Sequence, residues 1–537
     1  MTDKKHIWTG SSALAVLFAI LGLIVSSCQQ GKPAAVKIQR DTTITPANAY
    51  SDLFFDSASL ENYLQRTPWH DSLKQAMHHF YIGRNYQYAW LNKEGFTEQA
   101  FLFQNLLNDY LSYSKDSVVF NSLVKQLLDS AQQQKKPLLL PDSLRFKAEM
   151  GITSSFLRYA FRAYQGNITR HLDDLNWFIP RKRISPLAIL DSFTRKKGTA
   201  IDEPVNHQYH LLKEQLLRYY KMQQENLPPI PAAAKPYRLH DSATAITILK
   251  KRLHATGDYP LEDTTPYFSN ELKQALMQFQ KRYGLKQDGA AAGATLNYLN
   301  ESPEVRIRQI LVNMERMRWV PAQPEGDFIL VNIPQYRLTV FENGKPAFGM
   351  NIVVGTSQNR TVIFTGNLQY VVFAPYWNVP PGILKNEVLP AIQKNPGYLE
   401  KNHMEWHNNT VRQKPGPWNA LGEVKFLFPN SYNIYLHDTP SKSLFEQNKR
   451  AFSHGCIRVA EPKKLAEWVL RNQPPWAPER IAKAMNATKE QFVTVKNPIP
   501  VFIGYFTAWV DDSGLINFRD DIYGHDKKMA GYLFTES

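Results

Sequence analysis

The chain has 537 residues, of which 43% are hydrophobic and 12% aromatic, the balance of an ordinary globular protein. That length excludes a single hydrophobic core and calls for roughly two to four domains. The formal net charge is +15, with 63 Lys and Arg against 48 Asp and Glu, but the basic residues are scattered, so charge alone does not choose among nucleic acid, lipid head groups and wall polymers.

The N-terminus reads as a secretion signal. Lys4, Lys5 and His6 precede an apolar run from Ala13 to Val25. A bilayer-spanning helix needs about 20 apolar residues, so this shorter run fits the apolar region of a signal peptide. It ends in Val25-Ser26-Ser27-Cys28, which resembles a bacterial lipobox, where small residues precede a cysteine that is lipidated and becomes the new N-terminus. The resemblance implies a lipoprotein signal peptide over 1–27, lipidation at Cys28 and a polar tether over 28–48. Several acyl chains anchor stably where one is marginal. Gln29 stands where an Asp would retain such a protein at the inner membrane, so the expected place is the cell envelope, facing the periplasm, with the outer membrane favoured. Export also argues against nucleic acid as a partner. The second cysteine, Cys456, sits in a context of its own, so no disulfide is expected between the two.

From 49 to 235 the pattern is helical. Phe156, Tyr159, Ala160 and Tyr164 recur at helical spacing, as do Leu211, Leu212, Leu216 and Tyr219, and such stripes read as core. Leu227-Pro-Pro-Ile-Pro-Ala-Ala-Ala-Lys-Pro236 cannot continue a helix and marks a boundary. A compact second unit follows over 236–303. Ile246, Leu249 and Leu253, then Leu272, Ala275, Leu276, Phe279 and Tyr283, predict two amphipathic helices, and a third short helix is expected from about Gly293 to Leu299. Phe279-Gln280, Gly284-Leu285, Asp288-Gly289 and Thr295-Leu296 together resemble the three-helix peptidoglycan-binding domain. A connecting helix is expected within 304–326.

From 327 the period changes to two. Phe328–Ile333 and Tyr336–Phe341 read as strands joined by a turn at Glu342-Asn343-Gly344-Lys345, and Asn351–Val354, Tyr370–Phe373, Ile434–Leu436 and Val493–Tyr505 continue the sheet. Residues 381–424 are irregular and rich in Pro, Asn and Trp, so they read as an insertion, and Trp377 and Trp406 read as core or lid packing residues rather than as substrate-stacking ones. The expected architecture is α+β and multi-domain: a helical scaffold over 49–235, the three-helix module over 236–303, a mainly β domain over 327–509 with the insertion, and a C-terminal segment over 510–537.

The segment that carries chemistry is Tyr435-Leu436-His437-Asp438-Thr439-Pro440, followed by Ser453-His454-Gly455-Cys456-Ile457-Arg458-Val459. A thiol attacks only once deprotonated. A histidine at a strand end can take that proton, and a thiolate–imidazolium pair at neutral pH is then expected. Gly455 allows a tight turn that exposes backbone N–H groups to a developing oxyanion. Two other readings stand beside this one: a buried structural cysteine, and a zinc site built from His437, His454 and Cys456, whose spacing matches no common zinc motif.

Ser453-His454-Gly455-Cys456-Ile457-Arg458-Val459 resembles the signature of the YkuD-type L,D-transpeptidase domain. Asn313–Trp319, Tyr376-Trp-Asn-Val-Pro380 and Asn419–Asn430 resemble the large subgroup with a helical scaffold, a peptidoglycan-binding module and a capping insertion over 381–424. The resemblance implies Cys456 as nucleophile and His437 as general base and acid, its imidazole oriented by the backbone carbonyl of Asp438. It gives Ser453, His454, Gly455 and Arg458 supporting roles, His454 near the oxyanion and Arg458 steadying the cysteine loop or a substrate carboxylate. It implies peptidoglycan stem peptides as substrates, 3→3 cross-links as products, acylation by carbapenems, and neither metal nor organic cofactor. Hydrolysis of the same acyl-enzyme, an L,D-carboxypeptidase activity, remains open, as does a wall-binding structural lipoprotein.

Overall fold

A computed structural model describes residues 39–47, 51–134, 137–168, 173–195, 203–260, 263–321 and 325–534. Cys28, the signal peptide over 1–27 and most of the tether lie outside the described residues. No helix among the described residues is long and apolar enough to cross a membrane. The architecture is α+β and multi-domain, helical first and rich in β structure towards the C-terminus.

The chain divides into two compact units, one of residues up to Ala100 with Gln126–Ser154, the other of Phe101–Lys125 with everything from Ser155 onward. The division falls within the helices Glu98–Ser114 and Asp142–Tyr164. The first unit is organised around a buried carboxylate. Glu149 accepts from the Ala89 N–H at 2.7 Å, the Trp90 N–H at 3.1 Å and the Tyr81 hydroxyl at 2.9 Å. These donors satisfy the acid, while its burial pushes its pKa up to about 7.

In the second unit eight strands form a closed sheet. They are β1 Phe328–Asn332, β2 Arg337–Glu342, β3 Lys345–Gly355, β4 Ile363–Phe373, β5 Val424–Leu427, β6 Leu436–His437, β7 Ile457–Val459 and β8 Gln491–Gly504. The order runs β5-β6-β7-β3-β2-β1-β8-β4, and β4 pairs back onto β5. Alternation explains the closure. Val331, Leu338, Val340, Ile352, Val354, Val371, Leu436, Ile457, Val501 and Ile503 are all buried, and their intervening neighbours face outward or into a second layer. The predicted turn holds at Asn343 and Gly344, both with positive φ, as a tight hairpin requires.

The insertion is more ordered than its sequence suggests. Trp377–Asn378, Thr410–Gln413 and Met404–His407 make a three-stranded sheet over a small core of Val379, Val388 and Val411. Trp377 packs against that core, but Trp406 is 55% exposed, which corrects the expectation that it is a packing residue.

The three-helix module is present as Thr244–Ala255, Asn270–Arg282 and Gly293–Leu299, but it shares its core with the C-terminal segment. Arg282 is fully buried, donates from Nε to Asp258 at 2.9 Å, and bonds the Ile516 carbonyl through Nη1. Tyr283 packs on Phe518 and exchanges a hydroxyl hydrogen bond of 3.0 Å with Tyr219. Removing the whole module would therefore strip the cover from Phe518 and Tyr219. Arg282→Ala takes its cation from the buried Asp258 carboxylate, which then keeps the Thr256 hydroxyl at 2.6 Å, and breaking a buried pair in this way costs about 3–5 kcal/mol. A lowered urea midpoint, with loss of the near-ultraviolet signal, is the expected result, and an unchanged midpoint would show the pair to be dispensable.

Candidate active site

The site grows from one parallel strand pair. Leu436 stands opposite Ile457, and His437 opposite Arg458. Side chains alternate along a strand, so Leu436 and Ile457 enter the core while Tyr435, His437, Cys456 and Arg458 share the other face. The Ile457 N–H donates to the Tyr435 carbonyl at 3.1 Å, which fixes Cys456 beside Tyr435 and one step from His437.

His437 is buried, and its ring is oriented from behind. Nδ1 lies 2.5 Å from the Asp438 carbonyl oxygen. A carbonyl can only accept, so Nδ1 carries the hydrogen and Nε2 keeps its lone pair for a proton. The carbonyl is itself held rigid. The Asp438 N–H donates to Val424 O at 2.9 Å, one carboxylate oxygen accepts from the Glu423 N–H at 2.9 Å, and the other pairs with Lys442. Gly422 makes room for this, since a Cβ there would stand 2.3 Å from the Asp438 carboxylate.

The cysteine loop is tied by its own serine. Ser453 Oγ donates to the Cys456 carbonyl at 2.6 Å and accepts from the Gly455 N–H at 3.1 Å. Gly455 has φ +114°, a conformation that glycine adopts readily and L side chains rarely do. Its N–H is thus spent inside the loop, contrary to the expectation that the turn exposes it. The Cys456 N–H makes no hydrogen bond among the described residues and is left for a ligand. Arg458 also faces the site, and its Nε is buried without a hydrogen-bond partner among the described residues.

Cys456 Sγ lies 3.6 Å from the Asn433 carbonyl, and no hydrogen bond joins it to the His437 ring among the described residues. Such contacts are often long without substrate and tighten when it binds. Burial raises the thiol pKa, against the lowering effect of hydrogen bonds with Tyr435 and the charge of Arg458. Burial also pushes His437 down to about 3, helped by the positive charges of Arg458 and Lys425. Both groups are therefore neutral at pH 7. This corrects the expectation of a standing thiolate–imidazolium pair: desolvation disfavours each charged form, and two cations beside His437 oppose a third.

Ser453, Gly455, Cys456, Arg458, His437 and Asp438 thus come together around one point. His454 is exposed, with Nε2 3.3 Å from the Glu387 carboxylate of the insertion. No group of three His, Cys, Asp or Glu side chains among the described residues is placed to hold a metal ion. Sequence reasoning did not single out Tyr435, Asn433 or Gly422.

Residues 326–501 match the family model of the L,D-transpeptidase catalytic domain, residues 75–216 that of the scaffold domain, and residues 242–299 that of the "Putative peptidoglycan binding domain". A curated Haemophilus influenzae protein named "Putative L,D-transpeptidase" is 32% identical over 254 residues, which are 43% of this chain. Those residues are 51% of that protein, so the chain spans about half the length of the curated relative it matches. Among solved structures, an L,D-transpeptidase of Stackebrandtia nassauensis is 18% identical, with a TM-score of 0.21, over 51% of this chain and 98% of that one. An LD transpeptidase in complex with imipenem is 15% identical, with a TM-score of 0.19, over 34% of this chain and 59% of that one. At those TM-scores the structural likeness adds nothing to the family matches.

Proposed function

For a chain that carries an L,D-transpeptidase catalytic domain behind a scaffold domain and a peptidoglycan-binding domain, we propose a cysteine-dependent cell-wall transpeptidase that forms 3→3 cross-links. The observation that carries the reading is the shared face of Cys456 and His437, with the His437 tautomer set so that Nε2 can accept a proton.

The donor is a tetrapeptide stem. Cys456 Sγ attacks the carbonyl of the third residue as His437 Nε2 takes the thiol proton. The developing oxyanion meets the Cys456 N–H. The C–N bond to the terminal D-Ala breaks, and the proton passes from His437 to the departing amine. An amine from the third residue of a neighbouring stem then attacks the thioester, loses a proton and restores the thiol. Arg458 shares the face of Cys456 and His437, and its charge would steady the cysteine loop or a substrate carboxylate. The scheme uses no metal and no organic cofactor. Lipidation at Cys28 would hold the enzyme in the envelope, facing the periplasm.

The test is product analysis. Purified protein lacking residues 1–28 is incubated with tetrapeptide muropeptides, and the products are separated and weighed. Dimers joined between third residues are expected, with one D-Ala released per bond. Tripeptides with no dimer would make the protein an L,D-carboxypeptidase instead, and unaltered tetrapeptide would leave the structural lipoprotein.

A further inference from the structure

We propose that Thr361 and Tyr523 are positioning residues that aim the Cys456 N–H at the oxyanion, an inference that rests on the acyl-transfer reading above. The Gly455 carbonyl and the Cys456 N–H belong to one planar trans peptide group and point in opposite directions. Whatever clamps that oxygen therefore also sets the direction of that N–H. Thr361 Oγ1 donates to the Gly455 carbonyl at 2.8 Å.

Thr361 is held in turn. Its Oγ1 accepts from the Gly355 N–H at 2.9 Å, and its own N–H donates to the Tyr523 hydroxyl at 3.2 Å. That hydroxyl donates to the Gly355 carbonyl at 2.6 Å. Thr361, Gly355 and Tyr523 thus close a small ring of hydrogen bonds behind the cysteine loop. Thr361 is 1% exposed and Tyr523 is 3% exposed, so water cannot replace either partner. Gly355 cannot be replaced either, since a Cβ there would stand 1.9 Å from the Asn359 carbonyl oxygen. Tyr523 is itself anchored, its N–H on the Tyr505 hydroxyl at 3.0 Å.

From the other side of the loop, Ser453 takes the Gly455 N–H and holds the Cys456 carbonyl. The peptide between Gly455 and Cys456 is therefore fixed at its oxygen, and its N–H stays open. A donor held in place before the reaction stabilises a developing oxyanion without reorganisation. Tyr523 lies beyond the 326–501 match, so the C-terminal segment adds a second anchor to the Thr361 and Ser453 contacts made within the catalytic domain.

Two reactions at the same sulfur separate positioning from general structure. In acylation by a carbapenem, the C–S bond forms, an oxyanion develops, the ring C–N bond breaks and the nitrogen takes up a proton. In alkylation by iodoacetamide, the C–S bond forms and iodide leaves, with no oxyanion. Both rates are read by intact-protein mass spectrometry on protein lacking residues 1–28. Thr361→Val is expected to slow acylation about tenfold or more, less than loss of a whole oxyanion donor, which costs about 10²–10³-fold. Alkylation should stay within about twofold of wild type. Thr361→Ser keeps the hydroxyl and should restore acylation. Tyr523→Phe should show the same split to a smaller degree and serves where Thr361→Val folds poorly. Acylation at the wild-type rate in both variants, or acylation and alkylation falling together, would overturn the proposal. Wild-type protein that alkylates at Cys456 but is never acylated would instead overturn the acyl-transfer reading beneath it.

Discussion

Cys456→Ala protein is expected to form no covalent adduct with a carbapenem and no cross-linked product, while unfolding at nearly the wild-type midpoint. The sulfur is half-buried, and its hydrogen bonds are weak sulfur contacts, a long one to the Asn433 carbonyl and those with Tyr435. Its loss therefore leaves no strong donor stranded, and the change in stability should be within about 1 kcal/mol. The effect on turnover is of another size. Removing a nucleophile leaves only binding and oxyanion stabilisation, and such losses run to about 10⁴-fold or more. Cys456→Ser should fare little better, because a hydroxyl at that position would need a far stronger base than an imidazole held down to about 3. The check is intact-protein mass after carbapenem exposure, with a peptide map to place the adduct. An adduct on a serine of the wild-type protein, or cross-linking by the alanine variant, would remove Cys456 from the role.

Much of this was legible in the sequence, for reasons that differ from place to place. The helices Thr244–Ala255 and Asn270–Arg282 announced themselves because one apolar stripe repeats at helical spacing and the rest is polar. The first hairpin did so because Asn343-Gly344 admits the positive φ that the turn needs. The cysteine and histidine stood out because a short motif keeps them in register. Pairings far apart in the chain left no such mark. Nothing in the sequence says that Val424 should stand opposite Phe373 and close the sheet, nor that Tyr523 should reach Gly355. The insertion read as irregular because its strands are about four residues long and interrupted by exposed polar and aromatic side chains, too short to show a period. The charge state of the site was misjudged for a related reason. A motif names the two partners, but how deeply each is buried, and that Arg458 and Lys425 stand beside His437, are facts of three dimensions.

The same burial sets how acylation depends on pH. With His437 pushed down to about 3 and the thiol raised by burial, both partners stay neutral from mildly acid to mildly alkaline pH. The rate of carbapenem acylation should then be nearly flat between about pH 5 and pH 8, since neither group changes state there. A standing ion pair would instead give a rate that falls as the thiolate is protonated within that window, and a clear acid limb there would restore it. His437→Ala should slow acylation by about 10²–10⁴-fold, the usual worth of a general base. His454→Ala should cost less than about tenfold, because its ring turns towards Glu387 and takes no proton from Cys456 in this scheme. Equal losses, or a larger loss at His454, would exchange the two roles. The same burial links His437 to stability. Its folded pKa lies below the unfolded value of 6.5, so between that value and about 3 the unfolded chain binds a proton that the folded chain refuses. Stability should therefore be full above pH 6.5 and fall as the solution is made acid, by about 3 kcal/mol from this residue at pH 4. His437→Gln has no such proton to bind, and its melting temperature should decline less steeply than the wild type's over that range. Parallel declines in the two proteins would mean that His437 is not buried in its neutral form.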